Sequence, residues 1–73
     1  MEIAEMALDL SKTLEARRKS LGLNQAEVAA LAEVSPRFMY DLERGKPTVS
    51  LDKLLAVATV LGLNLTLRIA SNE

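Results

Sequence analysis

QAEVAALAEVSPRFMYDLER, residues 25–44, is the stretch that decides how this chain folds. Asn24, just ahead of it, is followed three residues later by Glu27, the spacing of a capping box that satisfies the free amides opening a helix. A helix therefore starts near Gln25, carries Val28, Ala29, Leu31 and Ala32 on its inner face, and ends at Ala32 or Glu33. Ser35 and Pro36 then read as an N-cap followed by proline at the first helical position, where the missing N–H costs nothing. This next helix runs to Arg44, and Gly45 closes it. Phe38, Met39 and Leu42 form its inner face, while Arg37, Tyr40, Asp41 and Arg44 recur at three- and four-residue steps on the opposite side.

Helical periodicity continues on both sides. Ile3, Met6, Ala7, Leu10, Leu14 and Leu21 mark a first amphipathic helix, stopped by Gly22. Arg18 falls between Leu14 and Leu21 on that apolar face, where an unpaired charge is costly, so it requires a carboxylate partner. Beyond the loop Lys46–Val49, Ser50 reads as the N-cap of a fourth helix whose buried stripe is Leu51, Leu54, Leu55, Ala58 and Leu61, with Gly62 as the stop. Met6 and Met39 read as core fillers.

At 73 residues the chain is one domain, residues 1–73, near the size where a single core is marginal, so a second subunit would help it. Half of the residues are hydrophobic, which argues against disorder. The absence of Cys and His removes thiolate catalysis, imidazole bases and the commonest zinc ligands. No coupled nucleophile and base, no glycine-rich phosphate loop and no metal-ligand cluster stand out, so the expectation is a non-enzyme without cofactor or metal. The first residues carry acids rather than a basic leader, and no apolar run approaches a membrane span, so a soluble cytoplasmic protein is expected. The net charge of −1 hides a division: residues 1–16 hold four acids and one Lys, whereas 17–53 hold Arg17, Arg18, Lys19, Arg37, Arg44, Lys46 and Lys53 against five acids.

Two short helices joined so tightly have the dimensions of a helix-turn-helix, whose second helix presents its outer face to the major groove. Arg37 is then the main base reader, since arginine can donate two hydrogen bonds to guanine, and Tyr40 can meet a thymine methyl or a phosphate. Asp41 could accept from cytosine's amino group or orient Arg37 or Arg44, and the orienting role is favoured. Gln25 and Ser35, at helix starts, suit phosphate oxygens. Arg44 and Lys46 would hold the backbone without base preference, although cations are favoured at a helix C-terminus in any case.

LGLNQAEVAALAEVSPRFMYDLERGKPTVSLDKLLAVATVLGL resembles the helix-turn-helix of phage repressors and xenobiotic-response regulators, through LNQAEVA, VS and LERGKP in combination. The resemblance implies a mainly α, lambda-repressor-like four-helix bundle, DNA contacts at Gln25, Ser35, Pro36, Arg37, Tyr40 and Asp41, and an ion pair between Arg18 and Glu43. Two positions depart from the family pattern. Glu33 stands where Gly is usual in the inter-helix turn, which implies either a left-handed residue at about 1 kcal/mol or a different turn. Pro36 replaces a hydrogen-bonding side chain, so one base contact is missing there.

After Gly62 the period changes. Leu63, Leu65, Leu67 and Ile69 alternate with Asn64, Thr66 and Arg68, the pattern of a strand, and no other segment of the chain alternates likewise. The expectation is that residues 63–69 pair antiparallel across a homodimer, joining two reading heads for a palindromic operator; an extension of the fourth helix or a frayed end is the plainer alternative. This ending, with GKPTVSLDKLL, is similar to HipB-like antitoxins, which implies a transcriptional repressor that neutralises a HipA-like kinase toxin and represses its own operon. A stand-alone repressor, or a module that occludes a partner without binding DNA, are the competing expectations.

Overall fold

The computed structural model describes residues 2–70; of the domain expected over 1–73, positions 1 and 71–73 lie outside the described residues. The described residues form four helices: α1 (Ile3–Ser20), α2 (Gln25–Ala32), α3 (Pro36–Glu43) and α4 (Leu51–Val60). α2 packs on both α3 and α4, and α1 crosses α3. Leu14 of α1, Val28 and Ala29 of α2, Met39 and Leu42 of α3, and Leu54, Val57 and Leu61 from α4 and its cap meet in one core. Burying each of the larger side chains is worth about 1.5–3 kcal/mol.

The helix starts follow the capping logic of the sequence. Asn24 Oδ1 accepts from the Glu27 N–H at 2.8 Å, and the Glu27 carboxylate accepts from the Asn24 N–H at 2.8 Å, closing the box that opens α2. Ser35 Oγ accepts from the Phe38 N–H at 3.0 Å ahead of Pro36. Ser50 precedes α4, but its hydroxyl donates to the Asp52 carboxylate and caps no backbone N–H.

The helix ends share one device. Gly22, Glu33, Gly45 and Gly62 all have positive φ. In each case that residue's N–H and the next one turn back onto carbonyls of the last turn, as in Leu23 N–H to Arg18 O, Val34 N–H to Ala29 O, Lys46 N–H to Asp41 O and Leu63 N–H to Ala58 O. The residue after the turn normally makes an apolar contact, and Leu23, Val34 and Leu63 do pack against the core. Behind α3 that place belongs to Lys46, which stays at the surface. Glu33 sits at φ 58° and ψ 42°, the left-handed residue that its place in the turn demands. A Cβ at Gly45 would also lie 2.7 Å from Leu8 Cδ2, so the exposed Leu8 side chain would have to shift to admit one.

Several expected core positions are displaced. Leu31 is 63% exposed, because the arc that α2 buries is Val28, Ala29 and Ala32, and residue 31 lies to its side. On α4 the buried set is Leu54, Val57, Ala58 and Leu61, one step round from the expected stripe; Leu51 and Leu55 are exposed and Val57 is fully enclosed. Met6 is exposed as well. The first turns of α1 reach past the core, and Ile3, Met6 and Leu10 line an open apolar groove with Pro47, Val49 and Leu54.

The tail departs most from expectation. Among the described residues there is no strand. Leu63 belongs to the cap of α4 through its bond to Ala58 O at 2.8 Å, and Leu65, Leu67 and Ile69 run on as irregular chain, the last two 97% and 98% exposed. A strand exists only through a partner's N–H and C=O groups, and no other segment among the described residues supplies them.

Candidate nucleic-acid interface

α3 presents two faces of opposite chemistry. Met39 and Leu42 are enclosed and Phe38 is half-buried, which leaves Arg37, Tyr40 and Arg44 on the side that faces water. The helix is short and starts at a proline that supplies a fixed φ, so its first turn is rigidly placed relative to the turn after α2.

Asp41 is the centre of the outer face. Its side chain is 11% exposed, whereas those of Arg37 and Arg44 are 74% and 51% exposed. The carboxylate thus lies beneath its cations: Arg37 Nε at 3.3 Å, Arg44 Nε at 3.1 Å and Lys46 Nζ at 3.7 Å. Burial pushes the Asp41 carboxyl up, but the hydrogen bond from Arg44, with Arg37 and Lys46 beside it, outweighs this and holds it below its ordinary value. Both guanidinium carbons also lie over the Tyr40 ring, 5.6 Å away for Arg37 and 5.9 Å for Arg44, so the ring stands between two planar cations. The arginines engage Asp41 through Nε, and among the described residues their terminal nitrogens make no hydrogen bond. Those nitrogens are the donors that suit guanine or a phosphate.

Glu43 faces inward. It receives Arg18 Nε at 2.7 Å and Arg18 Nη2 at 2.9 Å, a forked pair whose carboxylate is 3% exposed. Arg18 Nη1 donates to Leu23 O at 2.8 Å, so the buried guanidinium is used on every side. Burial pushes the Glu43 carboxyl up, yet the bonds from Arg18 and Gln25 overcome it and the group stays below its ordinary value. The pair joins α1 to α3.

Gln25 is not free at the start of α2. Its amide donates to Glu43 Oε1 at 2.9 Å, which ties α2 to α3 and leaves the end of that helix with backbone N–H groups rather than a loose side chain for a phosphate. Ser35 and Pro36 are exposed at the opening of α3; the Ser35 oxygen is engaged by the Phe38 N–H, and its hydroxyl hydrogen stays available to an acceptor.

The basic residues of the middle of the chain separate into two sets. Arg17 donates to Leu61 O at 2.8 Å and Arg18 pairs with Glu43, so these two serve the fold, while Lys19 makes an exposed pair with Glu15 of its own helix at 3.2 Å. Arg37, Arg44 and Lys46 gather on α3. Lys53 joins them in a way the sequence did not indicate: its ammonium lies 5.9 Å from the centre of the Phe38 ring, beside the first turn of α3. Its position in the first turn of α4 was readable, but the fold alone brings that turn against α3.

Among the described residues there is no group of His, Cys, Asp and Glu that could hold a metal ion, and no helix is long and apolar enough to cross a membrane. Residues 14–67 match the helix-turn-helix family. The chain is also 40% identical over 57 residues to an uncharacterized HTH-type transcriptional regulator, y4mF, of Sinorhizobium fredii (strain NBRC 101917 / NGR234), an alignment that covers 78% of this chain and 75% of that protein.

Proposed function

The chain belongs to the helix-turn-helix family, and from that premise we propose that it is a sequence-specific DNA-binding repressor acting as a homodimer in the cytoplasm, the antitoxin of a HipBA-like pair. One observation carries the DNA reading. The outer face of α3 and its closing turn holds Arg37, Tyr40, Arg44 and Lys46 together, and beyond the Nε contacts to Asp41 the terminal guanidinium nitrogens donate to no group among the described residues. With α3 in the major groove, Arg37 grips guanine and Tyr40 meets a base edge or methyl, while Arg44, Lys46 and the α2 start hold phosphates on either side.

The tail supports the dimer. Leu67 and Ile69 lie bare in the single chain, and two such segments paired about a two-fold axis would satisfy each other's backbone and cover these side chains. The two copies of α3 would then address half-sites about 34 Å apart on a palindromic operator. The GKPTVSLDKLL stretch and this tail favour the antitoxin role, with a HipA-like kinase as the protein partner.

The decisive measurement is titration of DNA from upstream of the protein's own gene against scrambled duplex, over a range of salt. Preferential binding that falls with salt is expected, and equal affinity for both duplexes overturns the repressor reading. Gel filtration of Leu67→Asp is expected to give monomers; a surviving dimer removes the tail as its seam. Co-expression with a kinase encoded beside the gene should yield a stable complex, and free kinase would leave a repressor without a toxin.

A further inference from the structure

We propose that Asp41 is a specificity-determining residue: an internal stand-in for phosphate that occupies the cations of the reading face and suppresses binding to arbitrary DNA. The inference rests on the DNA-binding reading of α3 and adds to it the residue that restrains it.

The cations that Asp41 engages lie close to it along the chain. Arg37, Arg44 and Lys46 all belong to α3 or its closing turn, so the carboxylate joins no two helices and the fold gains little from it. A carboxylate with such exposed cations above it has the charge and the acceptor oxygens of a backbone phosphate. Any phosphate that approaches must compete with it, and the four groups together carry two positive charges where the cations alone carry three. Arbitrary duplex offers only phosphates, so it bears this loss in full. A matching site also offers base edges, and there the same contacts help, because Asp41 holds each Nε and thereby sets the plane in which the guanidinium meets a base. The flanking of the Tyr40 ring by both arginines restrains them further.

Asp41→Asn retains shape and removes the charge. Fluorescence anisotropy with a random-sequence duplex, from low to high salt, is expected to show a plot of log affinity against log salt steeper by about 0.9 than that of the wild type, which corresponds to roughly tenfold tighter binding at 0.1 M salt. Against a site obtained by selection in vitro, the gain should be smaller, so the ratio of specific to random affinity falls. Asp41→Glu, whose longer carboxylate can still reach the cations, is expected to keep the wild-type slope. Random-duplex affinity of Asp41→Asn equal to or below wild type overturns the proposal, as does Asp41→Glu behaving like Asn. A thermal melt shows whether Asp41→Asn folds; an unfolded variant would make Asp41 a residue of the fold and overturn the proposal equally. If the wild type binds no duplex at any salt, the DNA reading itself falls, and that failure is visible before any variant is compared.

Discussion

Glu43 and Asp41 stand two places apart on one helix, and each is an ion-paired carboxylate, yet they do different work. Glu43 draws its partners from elsewhere, Arg18 on α1 and Gln25 on α2, and the Arg18–Glu43 pair is nearly all buried, with side chains 10% and 3% exposed. Asp41 draws its partners from α3 and the turn behind it, and the cations lie between the carboxylate and solvent. The chemistry is the same ion pairing. What differs is whether the partner belongs to another helix and whether a competing anion can reach it, and these two facts separate a residue that holds the domain together from one that tunes a surface.

The largest expected effect tests the first half of that contrast. Glu43→Ala leaves the Arg18 guanidinium buried without its carboxylate and should cost about 3 kcal/mol, read as a lowered denaturation midpoint in circular dichroism. A loss as small as that of an exposed ion pair would erase the distinction between the two carboxylates. Acid sharpens the same point. The Glu43 carboxyl is held below its ordinary value of 4.5 in the folded chain, so its contribution is complete above that pH and is lost as pH falls through the lower folded value. The stability difference between wild type and Glu43→Gln should therefore be constant from neutral pH down to about 4.5 and shrink below it. A difference that grows in acid would reverse the assignment.

Arg37→Ala tests the outer half. It should remove about 1–3 kcal/mol of discrimination between the operator and scrambled DNA while leaving the melt unchanged. Parallel melting losses in Arg37→Ala and Glu43→Ala would mean that both faces serve the fold. The smallest effect lies outside both clusters, in the turn between α2 and α3. Glu33→Gly should stabilise the domain by about 1 kcal/mol, since glycine meets no Cβ strain in the left-handed region that Glu33 occupies at φ 58°. An unchanged or lowered midpoint would show that the Glu33 side chain contributes something that outweighs this strain.

The helix-turn-helix was legible because its signals are local. Asn24 with Glu27, Ser35 with Pro36, and Gly22, Gly45 and Gly62 act within a few residues, and local chemistry does not depend on which helix lies opposite. The need for a partner at Arg18 was legible for a similar reason, since a charge on an apolar stripe demands one, although the choice of Glu43 came from resemblance. Leu31, Leu51 and Leu55 were misplaced and Val57 was missed because α2 and α4 carry apolar residues around much of their circumference, and their neighbours choose which part is covered. Gln25 was assigned outward from its place at a helix start, while the nearness of Glu43 draws its amide inward. The alternation of residues 63–69 was readable, but whether alternation becomes a strand depends on a backbone that this chain does not itself provide.

By itself the sequence determined where helices begin and end, which side of α3 is apolar, and that Arg37, Tyr40, Asp41 and Arg44 share the other side, because capping, proline and glycine effects and a period of 3.6 residues operate over single turns. Only the tertiary structure decided that Asp41 lies beneath three cations, that Gln25 serves Glu43, and that Lys53 reaches Phe38. Those outcomes depend on distances between side chains that are set once the four helices have packed, and no short-range rule carries that information.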